Sequence, residues 1–160
     1  MANEEAIKQE LEAKFNFTGT GLRIQRERRI FADIALENFH TCFEHLVKGM
    51  GFSMFSAMTA ADEGETISLI YHIARPDGTL INLKTYLPKA DPKINSISER
   101  FPTALIYERE MVDLLGVNVL GMPADANRYP LPDDWPKGVY PLRKDFDPSV
   151  LDKMDGKETK

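Results

Sequence analysis

The side chains that most often bind metals or act as nucleophiles are few in this chain and lie apart. Its 160 residues include three histidines and a single cysteine. His40 and His45 are five positions apart on a predicted helix, so they point to different sides, and His72 lies on a predicted strand. Cys42 has no second cysteine with which to form a disulfide or a cysteine-rich metal cluster. We interpret these four residues as surface or core side chains rather than as metal ligands or a nucleophile.

The sequence also lacks the short motifs that bind nucleotides or iron–sulfur clusters. It contains no GxGxxG, no GxxxxGK followed by Ser or Thr, no GxSxG and no CxxC. We therefore expect this chain itself to hold no flavin, nicotinamide nucleotide, ATP or iron–sulfur cluster.

Two clusters of charged residues remain. In the first, Glu108 and Glu110 point roughly 200° apart on a helix, so they do not form an acid/base pair. Arg109 and Asp113 are four positions apart and can pair on the same helix. The second cluster, Pro141–Phe146, contains Arg143, Lys144 and Asp145. Taken by themselves, both clusters are predicted to be surface charge networks, of the kind found at the polar rim of a protein–protein interface.

Two other functions are consistent with parts of the sequence. The basic run Arg23, Arg26, Arg28 and Arg29 could bind RNA or an acidic protein face, although a solvated strand edge protected by charge is the interpretation we favour. A small free-standing enzyme could use Glu108 or Glu110 as a base, which requires a pocket around a carboxylate of raised pKa.

Hydrophobic spacing predicts the elements that position these residues. We expect helices over Asn3–Phe15, Leu36–Met50 and Pro102–Leu115, either one strand or a hairpin bent near Glu27 over Leu22–Ala35, and strands over Phe52–Ala60, Thr66–Ala74 and Thr79–Leu87. Turn residues separate the last three strands. The predicted fold class is α+β, a mainly antiparallel sheet backed by helices, and it occupies residues 1–120.

The C-terminal residues 121–160 have a different composition. Six of the ten prolines fall between Pro123 and Pro148, which forbids a regular helix or a central strand there. Aromatic residues recur in the same stretch, so it is not simply disordered. We predict an extended tail that wraps a partner subunit, with Trp135 and Phe146 as anchors that are less covered in the isolated chain than in a complex.

Composition limits the class of protein. Hydrophobic residues make up 42% and charged residues 28%, and the formal net charge of −5 argues against a chain that coats nucleic acid. No apolar run reaches the ~18 residues that a membrane span needs, and the acidic N-terminus does not resemble a secretory signal. We expect a cytoplasmic protein that reaches a membrane only through partners.

Two motifs, the second of them in two parts, carry a resemblance to a known family. Ser96–Gly116 is similar to a signature around E-R-E-x-x-D-L-L/F-G, and Leu131–Trp135 and Pro141–Asp145 resemble closing L-x-x-D-W and P-L-R-K-D motifs. These are motifs of the 30 kDa subunit family of respiratory complex I, which is the C subunit of NADH-quinone oxidoreductase, and of its relatives in membrane-bound energy-converting hydrogenases. The resemblance spans about Arg29–Asp145. Met122 stands where the family commonly has histidine, and Arg128 alone stands where relatives have two adjacent arginines.

The resemblance implies a cofactor-free structural subunit of the hydrophilic arm, peripheral on the cytoplasmic side of the membrane. Its partners would be a large catalytic subunit, of the 49 kDa or hydrogenase type, and an iron–sulfur small subunit. Iron–sulfur clusters and nickel–iron or quinone sites would belong to those partners, and so would electron transfer and ion translocation. The Met122 departure favours a hydrogenase-type complex slightly. The residues expected to bind partners are Glu108, Arg109, Glu110, Asp113, Arg128, Trp135, Arg143, Lys144, Asp145 and Phe146.

Overall fold

The computed structural model describes residues 2–123 and 129–154 of the chain. Its elements in chain order are α1 (Ala2–Lys14), β1 (Phe17–Arg26), β2 (Arg29–Ile34), α2 (Leu36–Glu44), β3 (Met54–Asp62), β4 (Thr66–Ala74), β5 (Leu80–Pro88), β6 (Lys93–Asn95), α3 (Ala104–Leu115), β7 (Asn118–Leu120) and α4 (Ser149–Met154). A π-helical turn, His45–Gly49, continues α2.

Five of the strands form one sheet in the order β1-β2-β5-β4-β3. β5 is the central strand and pairs antiparallel with β4, with Tyr71 opposite Leu83. β3 pairs antiparallel with β4 at one edge, and β1 pairs antiparallel with β2 at the other. β2 and β5 are parallel neighbours, which joins the N-terminal hairpin to the rest of the sheet.

One face of this sheet is buried beneath the helices. The alternate residues of β4 and β5 that point into it are fully buried: Ile67, Leu69, Tyr71, Ile73, Ile81, Leu83 and Leu87. Phe39 and Phe43 of α2 pack against the Tyr71 ring, with centroid distances of 4.7 and 5.9 Å. The opposite face carries polar contacts, such as the 2.6 Å hydrogen bond between the His72 ring and the Asn82 amide oxygen. This alternation is the pattern that a one-sided antiparallel sheet requires.

The predicted fold class is confirmed, but two predicted boundaries differ from the structure and one pair of strands was not predicted. β1 begins at Phe17 rather than Leu22, because Gly19 and Gly21 lie inside an irregular stretch of the strand instead of breaking it. The α-helical part of the second helix ends at Glu44, six residues earlier than expected. The two-stranded parallel pair of β6 and β7 has no counterpart in the sequence prediction.

The C-terminal segment, defined here as residues 129–148, is a series of turns that precedes α4. It contacts the rest of the chain, since the Leu142 amide donates to the Leu114 carbonyl at 3.0 Å. Its predicted role as a tail that wraps a partner stays a prediction. Among the residues described, no helix is both long and apolar enough to span a bilayer.

Candidate functional site: helix α3 and the C-terminal segment

Helix α3 presents one buried stripe to the body of the protein. Ala104, Glu108, Met111 and Leu115 follow helical spacing and are at most 2% exposed. The helix ends at Gly116, whose φ of 70° is the left-handed conformation that glycine adopts readily. A β-carbon there would lie 2.5 Å from the Tyr140 ring, so the C-terminal segment approaches the helix end closely.

Glu108 lies inside this stripe, and the prediction that it belongs to a surface network is wrong. Its side chain is 1% exposed and accepts two hydrogen bonds, from the Ile97 amide and the Ser96 hydroxyl, each at 2.7 Å. Charge-assisted bonds of this kind compensate a carboxylate for its burial. Glu108 therefore holds the loop before α3, and this placement does not favour a role as a catalytic base.

Two other charged residues of the first cluster, Asp113 and Arg109, face the C-terminal segment. Asp113 is 8% exposed and accepts a hydrogen bond from the Leu131 amide at 3.3 Å. The Arg109 guanidinium lies 5.4 Å from the centroid of the Tyr129 ring, within reach of a cation–π interaction. Two charged residues of the first family motif thus contact the start of the C-terminal segment.

Arg143 of the second motif binds the C-terminal end of α3. Its Nε donates to the Leu115 carbonyl at 2.7 Å, and its guanidinium lies 4.7 Å from the Tyr140 ring centroid. The last carbonyls of a helix have no partner within the helix, and a cation there also matches the negative end of the helix dipole. Arg143 therefore acts as a cap that fixes the C-terminal segment to α3.

Asp62 connects the neighbouring part of the segment to the sheet. It accepts hydrogen bonds from the backbone amides of Gly64 and Lys144, both at 2.8 Å, and it pairs with Lys89 at 2.8 Å. Lys89 also pairs with Asp145 at 2.9 Å. The Lys89 hydrogen bond is the main cause that lowers the pKa of Asp62 well below its usual range, and the same lysine lowers the pKa of Asp145.

Trp135 and Phe146 stack on each other, with a centroid distance of 6.5 Å and an interplanar angle of 28°. The Trp135 Nε1 donates to the Val139 carbonyl at 2.9 Å. Both rings remain partly exposed. Whether a partner covers them further stays a prediction.

The structure thus gathers most of the predicted partner-binding residues around α3, although several of them bind the chain's own body. Glu110 lies on the side of α3 that faces away from the buried stripe. The backbone amide of Lys144 binds Asp62, and the Lys144 side chain is exposed. Arg128 lies outside the residues that the structure describes. The sequence reasoning missed Asp62 and Lys89. The sequence marks Asp62 only as a turn residue, and nothing local indicates that its second oxygen binds residue 144.

Other candidates from the sequence are placed as ordinary structural residues. Cys42 is fully buried, and desolvation raises the pKa of its thiol to about 12. β1, which carries Arg23 and Arg26, is an edge strand, and Arg23 lies over the Phe31 ring. Within residues 2–123 and 129–154 there is no group of three or more His, Cys, Asp or Glu side chains placed to hold a metal ion.

Comparison with known proteins places both motifs in one family. The profile of the family described as "Respiratory-chain NADH dehydrogenase, 30 Kd subunit" matches residues 32–150. The membrane-bound hydrogenase subunit beta of Pyrococcus furiosus is 30% identical over 121 residues, which cover 73% of this chain and 69% of that protein. The NADH-quinone oxidoreductase C subunit of Moorella thermoacetica is 38% identical over 99 residues, covering 60% of this chain and 65% of that protein.

Two solved structures have the same fold. A chain of the membrane-bound sulfane sulfur reductase, an archaeal respiratory membrane complex, superposes with a TM-score of 0.81 and 28% identity, covering 100% of this chain and 94% of that chain. A trypsin-resistant fragment of Nqo5 superposes with a TM-score of 0.63 at 22% identity, covering 76% of this chain and 98% of the fragment. The profile match over residues 32–150, which contains α3 and the second motif, shows that the chain belongs to the 30 kDa subunit family of respiratory-chain NADH dehydrogenases.

Proposed function

We propose that this chain is a cofactor-free structural subunit of the hydrophilic arm of a complex I-like, membrane-associated oxidoreductase. Its role is to dock and orient the large catalytic subunit, while an iron–sulfur small subunit and the large subunit carry the redox centres. The neighbours then perform electron transfer coupled to ion translocation. The chain would lie on the cytoplasmic side and reach the membrane only through these partners.

One observation carries this proposal: the first family motif, which ends at Gly116, and the Pro141–Asp145 part of the second, about 25 residues further along the chain, lie side by side. Arg143 binds the end of α3 and the Leu131 amide binds Asp113, so the helix and the C-terminal segment are held together. A surface that combines a helix face with aromatic side chains is suited to binding another protein. Because the segment is already attached to α3, little ordering is needed when a partner binds.

The longer matches support a hydrogenase-related complex over a quinone-reducing one. The Pyrococcus furiosus hydrogenase protein matches 73% of this chain, against 60% for the Moorella thermoacetica oxidoreductase protein. Met122, in place of the histidine common in the family, points in the same direction.

Isolation of the intact complex tests the proposal. The affinity-tagged full-length chain, expressed in cells that contain its partner subunits, should co-purify with a large catalytic subunit and an iron–sulfur small subunit. After separation from them, the chain itself should show no visible absorption and contain no iron or nickel. A stable lone monomer in native extracts, or iron that remains on the separated chain, would contradict the proposal.

A further inference from the structure

The side of α3 that faces away from the buried stripe carries an apolar row interrupted by one acid. Ile106, Glu110 and Leu114 recur every four positions, which places them on one side of the helix. Ile106 is 45% exposed, and the other two are partly buried. The C-terminal segment covers this side only in part: Leu142 lies beside Leu114 and Glu110, while the hydrogen bonds of the segment to the helix run through Asp113 and the Leu114 and Leu115 carbonyls.

A shallow groove lies beside this row, between α3, the edge strand β3 and the C-terminal segment. Apart from Glu110 and Tyr107, the side chains that line it are apolar, and they include Met58, Leu114 and Leu142. Leu142 stands at the rim and is 56% exposed. The volume of the groove is about 60 Å³. Small-molecule sites occupy roughly 300–1,000 Å³, whereas a water takes up roughly 30 Å³, so this groove fits the tips of one or two side chains rather than a metabolite.

Unlike Glu108, Asp113 and Asp145, Glu110 has no partner within the described part of the chain, and unlike the exposed Glu99, Asp133 and Asp134 it is partly buried. Glu108 accepts two hydrogen bonds, Asp113 binds the Leu131 amide and Asp145 pairs with Lys89. No hydrogen bond or ion pair reaches Glu110 from residues 2–123 or 129–154, although it lies partly buried against apolar neighbours. If a partner's apolar surface covered this groove, an unpaired carboxylate would oppose binding, because a desolvated charge without a counter-ion is costly.

We propose that the groove receives one basic side chain of the large catalytic subunit, an arginine or lysine flanked by apolar residues, which pairs with Glu110. This inference rests on the proposed function and specifies its chemistry. The aliphatic stem of the basic residue lies along Leu114 and Leu142 while its charged head reaches the Glu110 carboxylate. The apolar neighbours of that residue cover Ile106 and Tyr107. Glu110 then determines the register of docking, since an apolar or acidic side chain in the same place leaves its charge unpaired.

A matched pair of neutral variants tests the inference in the whole complex. Glu110→Gln removes the charge and keeps the shape, and Glu5→Gln does the same at an exposed position on α1. The tagged full-length variants are expressed together with the partner subunits, and the large subunit retained on the tag is quantified. We expect Glu110→Gln to lower retention about 10-fold or more, Glu110→Asp to lower it less, and Glu5→Gln to leave it unchanged. The melting temperature of the free Glu110→Gln chain should equal that of the parent, because no internal contact is lost.

Photo-crosslinking identifies the occupant directly. A benzoylphenylalanine placed at position 142 of the otherwise unaltered chain should crosslink to a peptide of the large subunit that contains an arginine or lysine among apolar residues. The inference is overturned if the crosslink joins two copies of this chain, if the captured peptide has no basic residue, or if Glu110→Gln retains the large subunit fully. If the parent chain fails to retain any large subunit, the proposed function itself is refuted, and the inference falls with it.

Discussion

Replacement of the buried Glu108 by alanine should destabilise the protein strongly. The substitution removes the acceptors of two hydrogen bonds at 2.7 Å, one from the Ile97 amide and one from the Ser96 hydroxyl. Hydrogen bonds to a charged group contribute roughly 1.5–3 kcal/mol each, and the Ile97 amide is left buried without a partner. We therefore expect the free energy of unfolding to fall by about 3 kcal/mol or more. For a chain of this length that corresponds to a decrease of roughly 10 °C in melting temperature.

Urea unfolding of the free chain, followed by circular dichroism, measures this change, and Glu110→Ala is the matched control. Glu110 lies two positions away on the same helix and has no hydrogen bond or ion pair with the described part of the chain. Its replacement should change the free energy of unfolding by less than about 0.5 kcal/mol. Glu108→Gln, which keeps one acceptor oxygen, should fall between the two. Equal stability losses for Glu108→Ala and Glu110→Ala would refute the assignment of Glu108 as the residue that holds the loop before α3.

Three further predictions concern the contacts around the site and the core. Lys89 lowers the pKa of Asp62 in the folded protein, so ionised Asp62 stabilises the fold above the ordinary carboxyl pKa of 3.8, and this stabilisation is lost as the pH falls below that value. Urea unfolding at about pH 6 and about pH 3 should therefore show a smaller decrease in the free energy of unfolding for Asp62→Asn than for the parent. Identical decreases would contradict the pairing. Gly116→Ala should lower the free energy of unfolding by about 1–2 kcal/mol, because residue 116 has a left-handed backbone conformation, and the new β-carbon should displace Tyr140. Trypsin should then cleave the C-terminal segment faster than in the parent, and unchanged cleavage would show that the contact between Gly116 and Tyr140 is unimportant. Cys42, whose buried thiol has its pKa raised to about 12, should react with a thiol reagent only after unfolding in guanidinium, and rapid labelling of the native chain would contradict its burial.

Local patterns are sufficient to predict the centre of the sheet. The residues of β4 alternate between apolar and polar, and the Pro76–Gly78 turn joins it to β5, so the two strands pair with their neighbours in sequence. The parallel pairing of β2 with β5 cannot be predicted in this way. Residues 35–79, which include a helix and two other strands, separate these partners, and no local signal relates them.

The errors in the sequence predictions have identifiable physical causes. From the sequence alone, Gly19 is expected to interrupt the secondary structure. In the fold, its lack of a side chain lets the β1 backbone approach Asp33, since a β-carbon at Gly19 would lie 2.7 Å from the carboxylate oxygen of Asp33. The Thr20 amide donates to the same oxygen at 3.1 Å, which keeps the irregular part of β1 beside β2. Burial of Glu108 could have been anticipated, because it shares the helical spacing of Ala104 and Met111 on the apolar stripe. The hydrogen-bond partners of Glu108 could not have been anticipated, because Ser96 and Ile97 lie on a loop whose path depends on the fold.

The central claim is that α3 and the C-terminal segment together form the surface that binds the large catalytic subunit. A chain truncated before Gly121 tests it most directly, since the buried apolar core lies entirely upstream of that residue among the residues described. The truncated and full-length tagged chains are expressed with the partner subunits, and the retained large subunit is quantified alongside the melting temperature of each free chain. We expect the truncated chain to unfold cooperatively but to retain no large subunit. We also expect Trp135→Ala in the full-length chain to weaken binding of the large subunit by about 2 kcal/mol or more. A truncated chain that captures the large subunit as fully as the parent would contradict the central claim.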